Sequence, residues 1–162
     1  MSFNDLNGGS KLEVGSTLII PNGEAMVVVQ ALAKVAPKAT AKVAAPSYAG
    51  YYMRPITGGV RTQGIHGYNA VDLASSCGTP VYASASGNVL IAKTGGWNSG
   101  YGNYIVISHP NGTQTLYAHF TSLVVAPGWA VTKGNLIGYM GTTGLSTGCH
   151  VHFEIRGAKN PF

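Results

Sequence analysis

The chain has 162 residues, with ten Lys plus Arg against five Asp plus Glu and a formal net charge of +5. That length holds one domain of ordinary size plus something small. No apolar run is long enough to span a bilayer, and the basic residues are scattered with no nucleic-acid motif beside them, so a membrane-spanning protein and a nucleic-acid reader are both excluded as expectations.

The first third has its own character. Leu6-Asn7-Gly8-Gly9-Ser10-Lys11-Leu12-Glu13-Val14-Gly15-Ser16-Thr17-Leu18-Ile19-Ile20-Pro21 resembles the closing part of a LysM module, the small glycan-binding domain of many wall proteins. The front half of such a module has no counterpart, so residues 1–22 are read as a partial LysM-like segment. Residues 23–49 are rich in Ala, Lys and Pro. Ala31 to Ala36 would start a helix that Pro37 and Pro46 limit, and the stretch is expected to be a linker. No secretory signal is visible at Met1. Together with the partial module, this reads as a piece of a longer exported precursor, with a phage lysin as the other route.

From residue 50 onward no helical amphipathic run appears. Short strands alternate with turn clusters: Val81 to Ala85, Asn88 to Ala92, Tyr104 to Ser108, Thr113 to His119, Ala130 to Thr132, Leu136 to Met140 and His150 to Arg156. The expected fold class is mainly β, a compact antiparallel sandwich or open barrel. Pro110-Asn111-Gly112 is a hairpin turn signal, which makes the preceding His109 a structural or rim residue. The glycine-rich stretch Thr94 to Gly102 reads as a loop near the cleft, with Trp97 and Tyr101 able to contact a peptide or glycan.

Four of the five histidines fall in three short contexts: Gly64-Ile65-His66-Gly67-Tyr68-Asn69-Ala70-Val71-Asp72, Leu116-Tyr117-Ala118-His119 and Gly148-Cys149-His150-Val151-His152-Phe153-Glu154. In a strand, His150 and His152 share one face and Cys149, Val151 and Phe153 the other. A catalytic zinc site needs three protein ligands and an open position, so one strand cannot complete it. His66 and Asp72 flank a Gly-Tyr-Asn turn that can fold both towards one point. On this reading His119, and whichever of His150 and His152 is not a ligand, are left for acid–base or oxyanion work. Taken singly each residue has a blander reading: a surface pair, a core histidine, a turn-capping aspartate. Their joint occurrence carries the argument, because Asp72 and Glu154 are the only side-chain carboxylates after residue 48.

Ala70-Val71-Asp72-Leu73-Ala74, Gly78-Thr79-Pro80-Val81-Tyr82-Ala83, Leu116-Tyr117-Ala118-His119, Val131 to Gly138 and His150-Val151-His152-Phe153-Glu154 together resemble the M23 metallopeptidases. These are the lysostaphin-like zinc endopeptidases that cut peptidoglycan stem peptides or cross-bridges. The resemblance runs from about Arg54 to the C-terminus and assigns residues 50–162 to a peptidase domain. It implies one Zn²⁺ held by His66, Asp72 and His152, with His119 and His150 as the catalytic histidines that orient water and stabilise the oxyanion. Tyr104 or Tyr117 is a lesser candidate donor. One departure stands out: the first His and Asp are six residues apart, where the family usually has four.

Cys77 and Cys149 flank ligand-bearing segments, and a disulfide between them would tie those segments together behind the site. It would contribute roughly 4 kcal/mol in the chain-entropy model and implies an oxidising compartment. The expected partner is peptidoglycan, a match for the positive charge, and the expected location is extracytoplasmic (periplasm, cell wall or secreted), with a monomer favoured. Two other classes compete. A silent M23-like domain would bind wall or activate an amidase, but such relatives typically lack ligands and here all five positions are filled. A phosphocarrier-type domain centred on one histidine fits the paired His motif less well.

Overall fold

The computed structural model describes residues 44–162, and Ala44–Phe162 forms one compact unit. The LysM-like segment and residues 23–43 of the linker lie outside the described residues. Ten strands follow in order: β1 (Val60–His66), β2 (Ala70–Ala74), β3 (Pro80–Tyr82), β4 (Gly87–Lys93), β5 (Tyr104–Ser108), β6 (Gln114–Ala118), β7 (Phe120–Leu123), β8 (Ala130–Val131), β9 (Leu136–Met140) and β10 (His150–Arg156). The helical content of the described residues is a single 3-10 turn at Asn98–Gly100.

Every named pairing is antiparallel, in a seven-stranded sheet ordered β1-β2-β10-β6-β5-β4-β8 and a three-stranded sheet ordered β3-β9-β7. Val71, Leu73, Ile105, Ile107, Tyr117 and Phe153 from the large sheet share one buried cluster with Val81, Phe120, Ile137 and Met140 from the small one. The architecture is thus mainly β and antiparallel, two sheets closed over a common core. The predicted strands over Tyr104–Ser108, Leu136–Met140 and His150–Arg156 coincide with β5, β9 and β10. The Pro110-Asn111-Gly112 turn joins β5 to β6, with Gly112 at φ 79° donating its N–H to His109 O.

Two expectations needed revision. The strand predicted over Thr113 to His119 ends at Ala118, and the chain passes from the large sheet into β7 of the small one. His119 sits at that break with φ 67°, a backbone region costly for a residue with a Cβ. Strands β1 and β2 were not foreseen as strands. They form a hairpin whose register shifts between Arg61 and Gln63 and again between Gln63 and His66, and those irregularities blur the period-2 pattern that reveals a strand.

One close approach shapes the upper rim. Gly102 and Gly144, with φ 62° and 73°, face each other so closely that a Cβ on either would overlap the other's loop backbone. Leu145 N donates to Gly100 O at 2.7 Å across the same junction. The loop carrying Tyr101 and the loop carrying Thr143 are therefore clamped together.

Candidate metal centre and its cleft

Strand parity aims β10 at the site. Val151, Phe153 and Ile155 are buried in the core between the sheets, so His150, His152, Glu154 and Arg156 present the opposite face. On neighbouring β2, His152 pairs with Asp72, and on β6 with Ala118. The small Ala118 leaves room beside the imidazole. His66 arrives from the end of β1, one turn away from Asp72. The six-residue separation is absorbed by the Gly67-Tyr68-Asn69 turn, in which Gly67 and Asn69 both have positive φ and Asn69 Nδ2 is anchored to Ile155 O at 2.6 Å and Ala158 O at 2.7 Å.

The result is a triangle of donor atoms. His152 Nδ1 lies 2.9 Å from Asp72 Oδ1, His66 Nε2 lies 3.4 Å from the same oxygen, and the two ring nitrogens are 3.3 Å apart. Tetrahedral zinc with ligands at its usual bond lengths requires ligand–ligand distances of about 3.3 Å. The donor set therefore fits a zinc ion with three protein ligands and an open side. His66, Gly67, Asp72, Tyr101, His119 and His150 are among the residues lining that open cleft.

Each of the four cleft histidines has its other nitrogen held by an acceptor. His66 Nδ1 donates to Gly64 O at 2.7 Å, His119 Nδ1 to Thr143 O at 2.8 Å and His150 Nδ1 to Gly148 O at 2.8 Å. His152 Nε2 lies 3.3 Å from Glu154 Oε1. Such partners fix the tautomer and aim the remaining nitrogen. The free nitrogens of His66 and His152 point at the triangle. The rings of His119 and His150 lie beside it, tilted to each other with centroids 4.7 Å apart, and His150 Nε2 lies 4.0 Å from Asp72 Oδ2. Sequence reasoning named all five of these residues, and the fold brings all five to one cleft.

Charge is concentrated here. Burial opposes ionisation of Asp72, but the hydrogen bond from His152 prevails and holds its carboxyl below the usual range. Burial likewise opposes a charge on His152, yet its bonds to Asp72 and Glu154 push it up to about 9. Without metal, a proton on His152 serves as the cation between two carboxylates. Burial pushes His119 down to about 4, so it stays neutral at ordinary pH, with a lone pair on one ring nitrogen.

Several contributors were not singled out from the sequence. Glu154 is 1% exposed and accepts hydrogen bonds from Tyr101 Oη at 2.6 Å and Arg156 Nε at 2.7 Å, besides facing His152. Its position two residues beyond His152, on the same strand face, was the available signal. Tyr101, foreseen only as a loop aromatic, is the hydroxyl closing this network. Tyr117 is no candidate donor: it is fully buried on the core side, its oxygen bonded to Ser84 N and Thr115 Oγ1. Tyr104 packs against Tyr101. His109 is structural, bonded to Ser86 O and Thr115 Oγ1. Cys77 and Cys149 form a disulfide with Cα atoms 5.2 Å apart, joining the segments that follow β2 and precede β10.

Comparison with known proteins agrees with this picture. Residues 66–162 match the model of Peptidase family M23. The chain is 46% identical over 107 residues to the DD-carboxypeptidase/endopeptidase Mpg of Neisseria meningitidis, covering 66% of this chain and 23% of that protein. It is 40% identical over 95 residues to the peptidoglycan DD-endopeptidase ShyA of Vibrio cholerae, covering 58% and 21%. Among solved structures, a zinc-containing peptidase from Vibrio cholerae superposes with a TM-score of 0.50 at 32% identity, over 68% of this chain and 35% of that one. The chain thus spans between a fifth and a quarter of the length of those curated relatives. A donor triangle on three antiparallel strands, inside a family match that covers more than half of the chain, places this chain in Peptidase family M23.

Proposed function

We propose that this chain is a zinc-dependent endopeptidase that hydrolyses peptide bonds in peptidoglycan stem peptides or cross-bridges, working outside the cytoplasm. The donor triangle of His66, Asp72 and His152, with spacings of 3.4, 2.9 and 3.3 Å, carries the reading. The names of the relatives, a DD-carboxypeptidase/endopeptidase and a peptidoglycan DD-endopeptidase, support the substrate.

Zinc bound there would lower the pKa of a water and polarise the scissile carbonyl. The chain's own residues do the rest. His119, neutral because it is buried, offers its Nε2 lone pair to the attacking water's proton. As the water oxygen bonds to the carbonyl carbon and the C–N bond breaks, that proton passes to the departing amine. His150 Nε2 faces the same space and, with Nδ1–H already held by Gly148 O, donates to the oxygen on which charge develops only as the doubly protonated imidazolium. Two adjacent imidazoles resist being charged together, which keeps one of them available as a base. Glu154 holds His152 in place, and the Tyr101 hydroxyl and Arg156 hold Glu154.

Digestion of purified sacculi of several cross-link types, with mass spectrometry of the fragments, tests this reading. Release of new amine ends that a chelator abolishes is the expected result. No release from any sacculus by folded, zinc-loaded protein would refute it in favour of a wall-binding domain.

A further inference from the structure

The last residue on the site face of β10 is Arg156, and its charge is only partly used. Its Nε donates to Glu154 Oε2 at 2.7 Å, and Nη2 lies 3.4 Å from the Tyr101 oxygen. Nη1 has no hydrogen-bond partner among the described residues, and the side chain remains 38% exposed. A guanidinium carries five N–H donors in a planar fork. Glu154 engages Nε and Tyr101 one Nη2 proton, which leaves Nη1 and the second Nη2 proton for a ligand. Above it lies the ring of Tyr68, its centroid 6.0 Å from the guanidinium carbon. Tyr68 is itself 75% exposed on the turn between β1 and β2.

This guanidinium belongs to a recess lined by Tyr68, Ser99, Tyr101 and Arg156. Tyr68, Ser99 and Tyr101 also line the metal-facing cleft, so the two spaces adjoin. Arg156 is the one Lys or Arg lining either of them among the described residues. The two side-chain carboxylates of the chain's described part, Asp72 and Glu154, are already committed to the histidines and to the Glu154 network.

We infer that Arg156 is a specificity-determining residue, receiving a free carboxylate of the peptide substrate, on a residue flanking the scissile bond, at the Nη1/Nη2 end of its guanidinium with Tyr68 covering the plane. This rests on the endopeptidase reading above. The fork geometry matches a carboxylate with two parallel hydrogen bonds, and the recess shares three lining residues with the cleft where the bond would be cut. The buried Glu154 fixes Arg156 from behind, so the free end is pre-set rather than mobile. A neutral bridge such as a run of glycines would leave this cation facing nothing, so the site favours acidic stem-peptide links.

Two synthetic D-alanine-containing peptides test it, identical except that the residue after the scissile bond carries a free carboxylate in one and a carboxamide in the other. Zinc-loaded wild-type protein should cleave the carboxylate peptide with a kcat/KM on the order of 10- to 100-fold higher. Arg156→Gln should lower cleavage of both peptides, because Arg156 also holds Glu154, but lower it further on the carboxylate peptide so that the ratio falls to about one, and Arg156→Lys should restore part of the ratio. A wild-type ratio near one needs no variant and overturns the inference. So does an equal loss on both peptides in Arg156→Gln, which would make Arg156 a support for Glu154 alone. Calorimetric binding of the same pair separates the two hypotheses. Wild-type selectivity for the carboxylate, absent in Arg156→Gln, without cleavage of either peptide would sustain the carboxylate site and refute the endopeptidase.

Discussion

Replacing Glu154 with Gln is the most searching single change, because it keeps the shape and removes the charge. The native carboxylate uses two oxygens to face three donors: Tyr101 Oη at 2.6 Å, Arg156 Nε at 2.7 Å and His152 Nε2 at 3.3 Å. A carboxamide has one oxygen and one NH2, so in either flip an N–H opposes one of those donors. Hydrogen bonds to charged groups contribute about 1.5–3 kcal/mol each, and a buried guanidinium edge left unpaired adds to the loss. Because Arg156 is partly exposed, water recovers some of it. A destabilisation of about 2–3 kcal/mol is expected. His152 also loses the acceptor that fixes its ring, for which metal affinity typically falls about 10- to 100-fold. Urea titration reads the first effect, and competition with a chromophoric chelator reads the second. Unchanged zinc affinity in a folded Glu154→Gln protein would refute the assignment of Glu154 as the support of His152.

The remaining predictions separate the roles. Asp72→Asn or His152→Ala should lose tight zinc binding, whereas His119→Ala and His150→Ala should keep the metal and lose about 10²–10⁴ in kcat; metal content measured beside turnover distinguishes them. Cleaving the Cys77–Cys149 bond, which closes a sequence separation of 72 residues, should cost about 4 kcal/mol in the chain-entropy model, read as a lower urea midpoint in reductant or in Cys77→Ser/Cys149→Ser. With His152 raised to about 9, zinc loading near pH 7 should release about one proton, measured by calorimetry in buffers of different ionisation enthalpy. Burial lowers the His109 pKa, with its bond to Ser86 O opposing; the unfolded chain then takes up its proton near pH 6.5 while the folded one resists. Stability from this group is present above about pH 6.5 and lost as pH falls below it, so His109→Gln should flatten the acid limb of a stability–pH curve.

The candidate donor residues and most of the strands were legible in the sequence, because both rest on local signals. A His-x-His pair on a period-2 strand announces a shared face, and that face exists in β10. Glu154 and Arg156 obey the same parity, but a carboxylate beyond the histidines reads as an exposed polar residue until its partners are known. Those partners come from loops: Tyr101 lies 53 residues from Glu154, and no local pattern pairs them. The hairpin of β1 and β2 was hidden for the opposite reason. Its bulges break the alternation that identifies strands, and the Gly67-Tyr68-Asn69 turn beyond them carries the chain from His66 back to Asp72.

Backbone strain points to the same place as the side chains. Among the described residues four non-glycines have positive φ: Asn69, Asn98, Ser99 and His119. Asn69 forms the turn after His66, Asn98 and Ser99 form the 3-10 turn before Tyr101, and His119 is the break between β6 and β7. Ser99 and His119 line the cleft, Asn69 and Asn98 adjoin residues that do, and three of the four are secured by their own side chains. Asn69 reaches Ile155 O and Ala158 O, Asn98 reaches Gly95 O and Gly102 O, and His119 reaches Thr143 O. Residues in such conformations cost on the order of 1–3 kcal/mol each and persist where the surroundings over-determine them. In an unbroken strand His119 would face opposite to Ala118, towards the core. Its left-handed backbone turns the ring instead towards His150 and His152, so the strain at the end of β6 is what places the fourth imidazole in the site.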